Sequence, residues 1–153
     1  MRAMELVRCP AELGTASRTV IVSSVSSDSH TWNLVYLQLV LEEAGCRVVN
    51  LGPCAPDQLI VAECLRNRPD LLVVSTVNGH GFQDGSRLIR VLRNHSELRQ
   101  MPVVIGGKLG ISGPDHRSSA SLVDAGFDGV FEEDADIQLF RSFVAALPVG
   151  VTS

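Results

Sequence analysis

The chain has 153 residues, a formal net charge of −4, 45% hydrophobic and 20% charged residues, the balance of one soluble globular domain with enough apolar material for a real core. Aromatics make up only 5%, so that core has to be aliphatic. No basic run gathers to neutralise phosphates, which argues against nucleic-acid binding, and no apolar stretch approaches the ~18 residues of a membrane helix.

Residues 1–17 show no sustained periodicity and read as an extension ahead of a domain over 18–150. They carry acids and lack an apolar segment of signal-peptide length, so a cytoplasmic location is expected. The run TVIVSSVS from Thr19 is β-branched and predicts the first strand. After the loop SSDSHTWN, residues Leu34, Leu37, Leu41 and Ala44 recur at helical spacing, and Gly45 ends that helix at a C′-type position. RVVNLG is a second strand, closed by Gly52 and Pro53. Pro56 and Asp57 open a second helix that runs to about Asn67.

DLLVVSTV is a third strand, almost wholly apolar, as for a strand buried on both faces. The turn NGHG leads to a third helix from about Gln83 to His95. PVVIGG is a fourth strand, DHRSSASLVDAG a fourth helix closed by Gly126, DGVFEE a short fifth strand, and DIQLFRSFVAAL a last helix. The four cysteines, Cys9, Cys46, Cys54 and Cys64, form no C-x-x-C pair and have no histidine at zinc spacing. They read as reduced and mostly buried.

Strands alternating with helices imply parallel pairing through crossovers. The expected fold is α/β, a flavodoxin-like (Rossmann-like) doubly wound sheet of five parallel strands in the order 2-1-3-4-5, with helices on both faces. Ligands of such sheets sit beyond the carboxyl ends of the strands. The loops SSDSHTWN, STVNGHG, GGKLGISG and EEDAD are therefore the candidate site.

Within the first loop, Asp28 and His30 stand two residues apart. A neutral imidazole ligates transition metals, and a carboxylate on its other nitrogen fixes the tautomer and raises ligand basicity. The plainer alternative is that Asp28 caps the first helix or the loop while His30 is solvated. Trp32 and Tyr36 suit either a planar ligand or a neighbouring subunit, His80 and Lys108 fall on the same rim, and Cys54 lies after the second strand, off the expected site. His95 and His116 read as solvated.

Asp28-Ser29-His30-Thr31-Trp32-Asn33, then Ser75-Thr76-Val77, then Gly106-Gly107, at these spacings over Thr19 to Leu147, resemble the cobalamin (vitamin B12)-binding domain family. That family carries D-x-H-x-x-G after strand 1, an S-x-L-type motif after strand 3 and G-G after strand 4. The wording GCRVVNLG, DLLVVST and GFDGVF is similar to the small subunits of the glutamate mutase (methylaspartate mutase) group. The resemblance implies a cofactor, adenosylcobalamin, held base-off with His30 on the cobalt and Asp28 as its hydrogen-bonded partner. The displaced nucleotide tail would lie between the first helix and the sheet. The implied cofactor contacts are Asp28, Ser29, His30, Thr31, Asn33, Ser75, Thr76, Val77, Gly79, Gly106, Gly107 and Phe131, with no catalytic residue in this chain alone.

It further implies a larger barrel-type mutase subunit, in a heterotetramer, that binds an amino-acid substrate. Asn33 stands where the motif has glycine. The stretch Glu132-Glu133-Asp134-Ala135 stands where relatives often carry Gly-Thr, and its three acids would be unfavourable beside a phosphodiester unless they point outward. A corrinoid carrier or sensor, and less well a flavodoxin-type flavin protein, are the alternatives. A phosphoacceptor receiver fits worst, because the third strand ends without an aspartate.

Overall fold

Five short strands, the central ones built from aliphatic runs, form the centre of the computed structural model, which describes residues 17–110 and 116–148. They are β1 (Thr19–Ser23), β2 (Arg47–Asn50), β3 (Leu71–Thr76), β4 (Val103–Gly107) and β5 (Gly129–Glu132). Between and after them run α1 (Trp32–Glu43), α2 (Asp57–Asn67), α3 (Gly81–Arg93), α4 (His116–Ala125) and α5 (Ile137–Ala146), with a 3₁₀ turn at Ser96–Leu98 that the sequence reading missed. The strands are parallel and ordered β2-β1-β3-β4-β5. This is the expected doubly wound arrangement. Nearly all of the expected extension over 1–17, Cys9 with it, lies outside the described residues, as does 111–115 in the loop after β4.

Side chains alternate across the sheet and divide the core into two layers. Ile21, Leu72, Val74 and Ile105 meet Ile60, Leu88, Ile89, Leu92 and Leu122 of α2, α3 and α4. On the other face Val20, Val22, Leu71, Val73 and Val104 meet Leu34, Val40 and Leu41 of α1 and Phe140 and Val144 of α5. Every residue of β3, the central strand, is buried. Two aspartates pin the strand starts. Asp70 accepts from the Thr19 amide at 2.8 Å, and Asp128 does the same for the Val103 amide at 2.8 Å.

The ends of α1 and α2 fall where the sequence places them: α1 closes at Ala44 before Gly45 at φ +90°, and α2 starts after Pro56. The third helix begins at Gly81, two residues before the expected Gln83. Its glycine-rich first turn is a poor helix former by propensity, but it is fixed from outside, because the Phe82 amide donates to the Leu109 carbonyl at 3.0 Å. Cys46 and Cys64 are buried free thiols, as expected, whereas Cys54 is exposed. No helix among the described residues is long and apolar enough to cross a membrane.

Candidate functional site: a buried aspartate, a raised histidine and an apolar pocket

The loop after β1 folds around one carboxylate. Asp28 is fully buried and has four donors. His30 supplies its backbone N–H to Oδ1 at 3.0 Å and its ring Nδ1 to the same oxygen at 2.7 Å. Oδ2 receives the Thr76 hydroxyl and the Val77 amide, each at 2.7 Å. Burial by itself would raise the carboxyl, but the His30 amide, the Thr76 hydroxyl, the Val77 amide and the His30 ring outweigh it and hold the group at about 2. Asp28 does not cap α1, whose N-cap Thr31 makes no side-chain cap bond; it caps its own loop by accepting the His30 amide and ties that loop to the end of β3.

An ionised Asp28 accepts, so Nδ1 of His30 is the donor, and in the neutral ring Nε2 carries the lone pair. The ring is 58% exposed above its buried partner. The loop is held from outside as well. Asn78 donates to the Ser27 carbonyl at 3.0 Å, Ser27 donates to Asp84, and Arg87 bridges Asp84 at 2.9 Å and Asp57 at 2.8 Å. Cys54, read as off the site, is a neighbour of this loop, for its amide donates to the Asp28 carbonyl at 2.7 Å.

Beside this loop, on the α1/α5 face of the sheet, lies a pocket of about 460 Å³. Its floor is a row across three strands, Ser75 of β3 in register with Gly106 of β4 and Phe131 of β5, with Val73 and Val104 below. The walls are Asn33, Tyr36 and Leu37 of α1 and Ile137 and Phe140 of α5. Gly106 puts no side chain between Ser75 and Phe131, which gives the pocket its depth. Both glycines are also required by the chain's own packing: a Cβ on Gly106 would stand 2.7 Å from the Phe131 carbonyl, and one on Gly107, at φ +105°, 2.0 Å from the Thr76 carbonyl. Asn33 crosses from the first turn of α1 to donate to Ser75 Oγ at 2.8 Å, and its own Oδ1 is buried with no partner among the described residues. An unpaired buried carbonyl costs about 1–3 kcal/mol.

Of the residues named from sequence, Asn33, Ser75, Val77, Gly106, Gly107 and Phe131 line the pocket. Asp28, His30 and Thr76 form the hydrogen-bonded group above it. Ser29 and Thr31 are exposed on the loop, and Gly79 is buried in the turn before α3. His80 is exposed at the N-cap of α3, His95 is half-buried, and the side chain of His116 lies outside the description. Lys108 lines the rim. The acids are not all turned away: Glu132, Glu133 and Asp136 line the pocket, although Glu132 accepts from Ser119 and Asp136 caps α5 by accepting from the Gln138 amide at 2.9 Å. Leu37, Ile137 and Phe140 were not expected at the site. Their helical spacing marks them as inward-facing, and only the fold shows that they face a void.

A family model described as the B12 binding domain matches residues 18–137. The chain belongs to the B12-binding domain family. Among curated relatives, the glutamate mutase sigma subunit of Fusobacterium nucleatum is 27% identical over 124 residues, covering 80% of this chain and 90% of the relative. Sigma subunit 1 of Haloarcula marismortui is 30% identical over 124 residues, 78% of each chain. Among solved structures, a cobalamin-binding protein from Desulfitobacterium hafniense superposes with a TM-score of 0.67 at 16% identity, over 83% of this chain and 59% of that one. The methanol:cobalamin methyltransferase complex of Methanosarcina barkeri gives 0.65 at 18% identity, over 92% of this chain and 53% of that one. A chemotaxis response regulator of Vibrio cholerae gives 0.66 at 13%, over 87% of this chain and 100% of that one. Likeness at these identities establishes the fold that a B12-binding domain shares with receivers, and no more.

Proposed function

We propose that this B12-binding domain holds adenosylcobalamin with His30 on the cobalt and the nucleotide tail in the α1/α5 pocket, as the small subunit of a carbon-skeleton mutase of the glutamate mutase type. The observation that carries the reading is the pairing of His30 with a buried, ionised Asp28 at the carboxyl edge of the sheet beside an apolar pocket. The donor set fits. His30, whose Nδ1 is engaged by Asp28, has its Nε2 free to be offered to a metal already held by a macrocycle, and would hold the cobalt through that nitrogen. The void fits too, since its aliphatic and aromatic walls suit a planar base and the row at Gly106 makes room for one.

When bound, adenosylcobalamin would supply radical chemistry. The chain's own part is binding and orientation. Asp28 keeps the proton on Nδ1 and fixes the ring plane; Ser75, Asn33 and Phe131 border the tail; Lys108 lies at the rim among the acids. Ser29 and Thr31 lie exposed on the loop that leads into α1, and Gly79 sits in the turn before α3. The curated relatives are named sigma subunits, and we assign this chain a larger, barrel-type partner that binds the amino-acid substrate in a heterotetramer. In support, Trp32, Val35, Tyr36 and Leu39 recur on one side of α1 and are exposed, Trp32 at 82%. Such a stripe beside a ligand site marks an interaction surface.

The test is a titration of the purified chain with cobalamin, read by absorbance and, in the cobalt(II) state, by EPR. Nitrogen splitting that changes on 15N-labelling of histidine and vanishes in His30→Ala places His30 on the metal. Unchanged binding and an unchanged spectrum in His30→Ala refute the assignment.

A further inference from the structure

We infer that Asn33 is a latch across the tail pocket and a determinant of which corrinoids the chain admits; the inference rests on the cobalamin reading above. The Asn33 side chain leaves the first turn of α1, donates to Ser75 Oγ at 2.8 Å on β3, and so spans the seam between helix and sheet at the edge that carries His30. Both residues line the pocket, and a tail passing down this seam has to part them.

The latch is poised rather than locked. Asn33 Oδ1 is buried without a partner among the described residues, so the closed state satisfies one end of the amide and strands the other. Turning the amide over exchanges the stranded atom for the NH₂ but leaves the deficit. A tail with polar groups, such as a ribose and phosphodiester, brings partners for the amide and for Ser75, and opening then relieves a defect instead of creating one. A corrinoid without a tail never meets the latch. Residue 33 thereby separates tailed from tailless corrinoids by rate, while His30 serves both alike.

The experiment is stopped-flow mixing of the full chain with adenosylcobalamin or with adenosylcobinamide, which lacks the nucleotide tail, using wild type, Asn33→Ala, Ser75→Ala and the double variant. With adenosylcobalamin each single variant is expected to associate about five-fold faster, the rate equivalent of one neutral hydrogen bond. The double variant gains nothing more, because both substitutions break the same bond. With adenosylcobinamide all four proteins associate at one rate. Single variants that match or lag wild type with adenosylcobalamin, additive gains in the double variant, or equal acceleration of adenosylcobinamide overturn the latch and leave the cobalamin reading standing. Failure of wild type to bind either corrinoid overturns the reading itself, and the latch with it.

Discussion

At the scale of single residues, Asp28 is where sequence, fold and proposed chemistry meet. Its four hydrogen bonds stabilise the charged form, so the folded protein gains from ionisation as long as the unfolded carboxyl would also be ionised. Because the folded value is depressed from 3.8 to about 2, this gain of about 2 kcal/mol is complete above roughly pH 5 and is lost as pH falls through 2. Asp28→Asn is expected to lower the unfolding free energy of the chain by about that amount at pH 7, with the gap to wild type closing in acid. Urea melts at pH 7 and pH 3 test this, and an equal gap at both values counts against it. The cysteines give a second residue-scale prediction. Burial, with the charge of Glu63 adding to it, pushes the Cys64 thiol up to about 12, and burial raises Cys46 as well, while Cys54 is exposed. Iodoacetamide at pH 8 should label Cys54 and spare Cys46 and Cys64 until the chain unfolds. Peptide mass spectrometry reads the outcome, and labelling of Cys64 in the native protein contradicts the packing.

At the scale of elements, spacing and termini are legible in the sequence, and convergence is not. The apolar runs, the helical recurrence Leu34-Leu37-Leu41, Gly45 and the Pro56-Asp57 start each announce an element locally, and the structure has them there. Arg93 announces nothing. In the fold its guanidinium donates to the carbonyls of Leu98 and Met101 at 2.7 Å and of Gly126 at 2.8 Å, and reaches Asp128 at 3.1 Å. It thereby joins the end of α3 to the chain entering β4 and β5, a role set by three segments that meet only after folding. Arg93→Ala should cost about 3 kcal/mol, since hydrogen bonds to a charged group contribute about 1.5–3 kcal/mol each and the freed carbonyls regain some water. Arg93→Lys should lose less, keeping the charge and fewer donors. Denaturation midpoints decide, and a change within 0.5 kcal/mol for Arg93→Ala disproves the clamp. The candidate site divides in the same way. Asp28-x-His30 and the Ser75 and Gly106-Gly107 motifs are visible as words, whereas the α5 wall formed by Ile137 and Phe140 depends on which helix the topology lays beside α1.

At the scale of the whole molecule, the exposed stripe of α1 and the pocket share one face. Leu39→Lys sits on that stripe, far along the helix from the His30 loop, and an exposed substitution of this kind shifts stability by less than about 0.5 kcal/mol. With the proposed large subunit it is expected to weaken complex formation at least ten-fold in size-exclusion or light-scattering titrations, while the isolated chain melts as wild type. Unimpaired assembly removes the stripe from the interface. The two faces of the sheet also differ in how complete they are. The layer beneath α2, α3 and α4 packs Ile60, Leu88, Ile89, Leu92 and Leu122 against the sheet, whereas the layer between α1 and α5 opens into a pocket of about 460 Å³. Whatever fills that void becomes a missing piece of hydrophobic core, and its binding free energy is added to the cohesion of one half of the protein. Amide hydrogen exchange should therefore slow on ligand binding in α1, α5 and the edge strand β5, and stay nearly level in α2 and α3. In folding terms, on the proposed reading, the α1/α5 side of the sheet is the half that the cofactor's tail would complete.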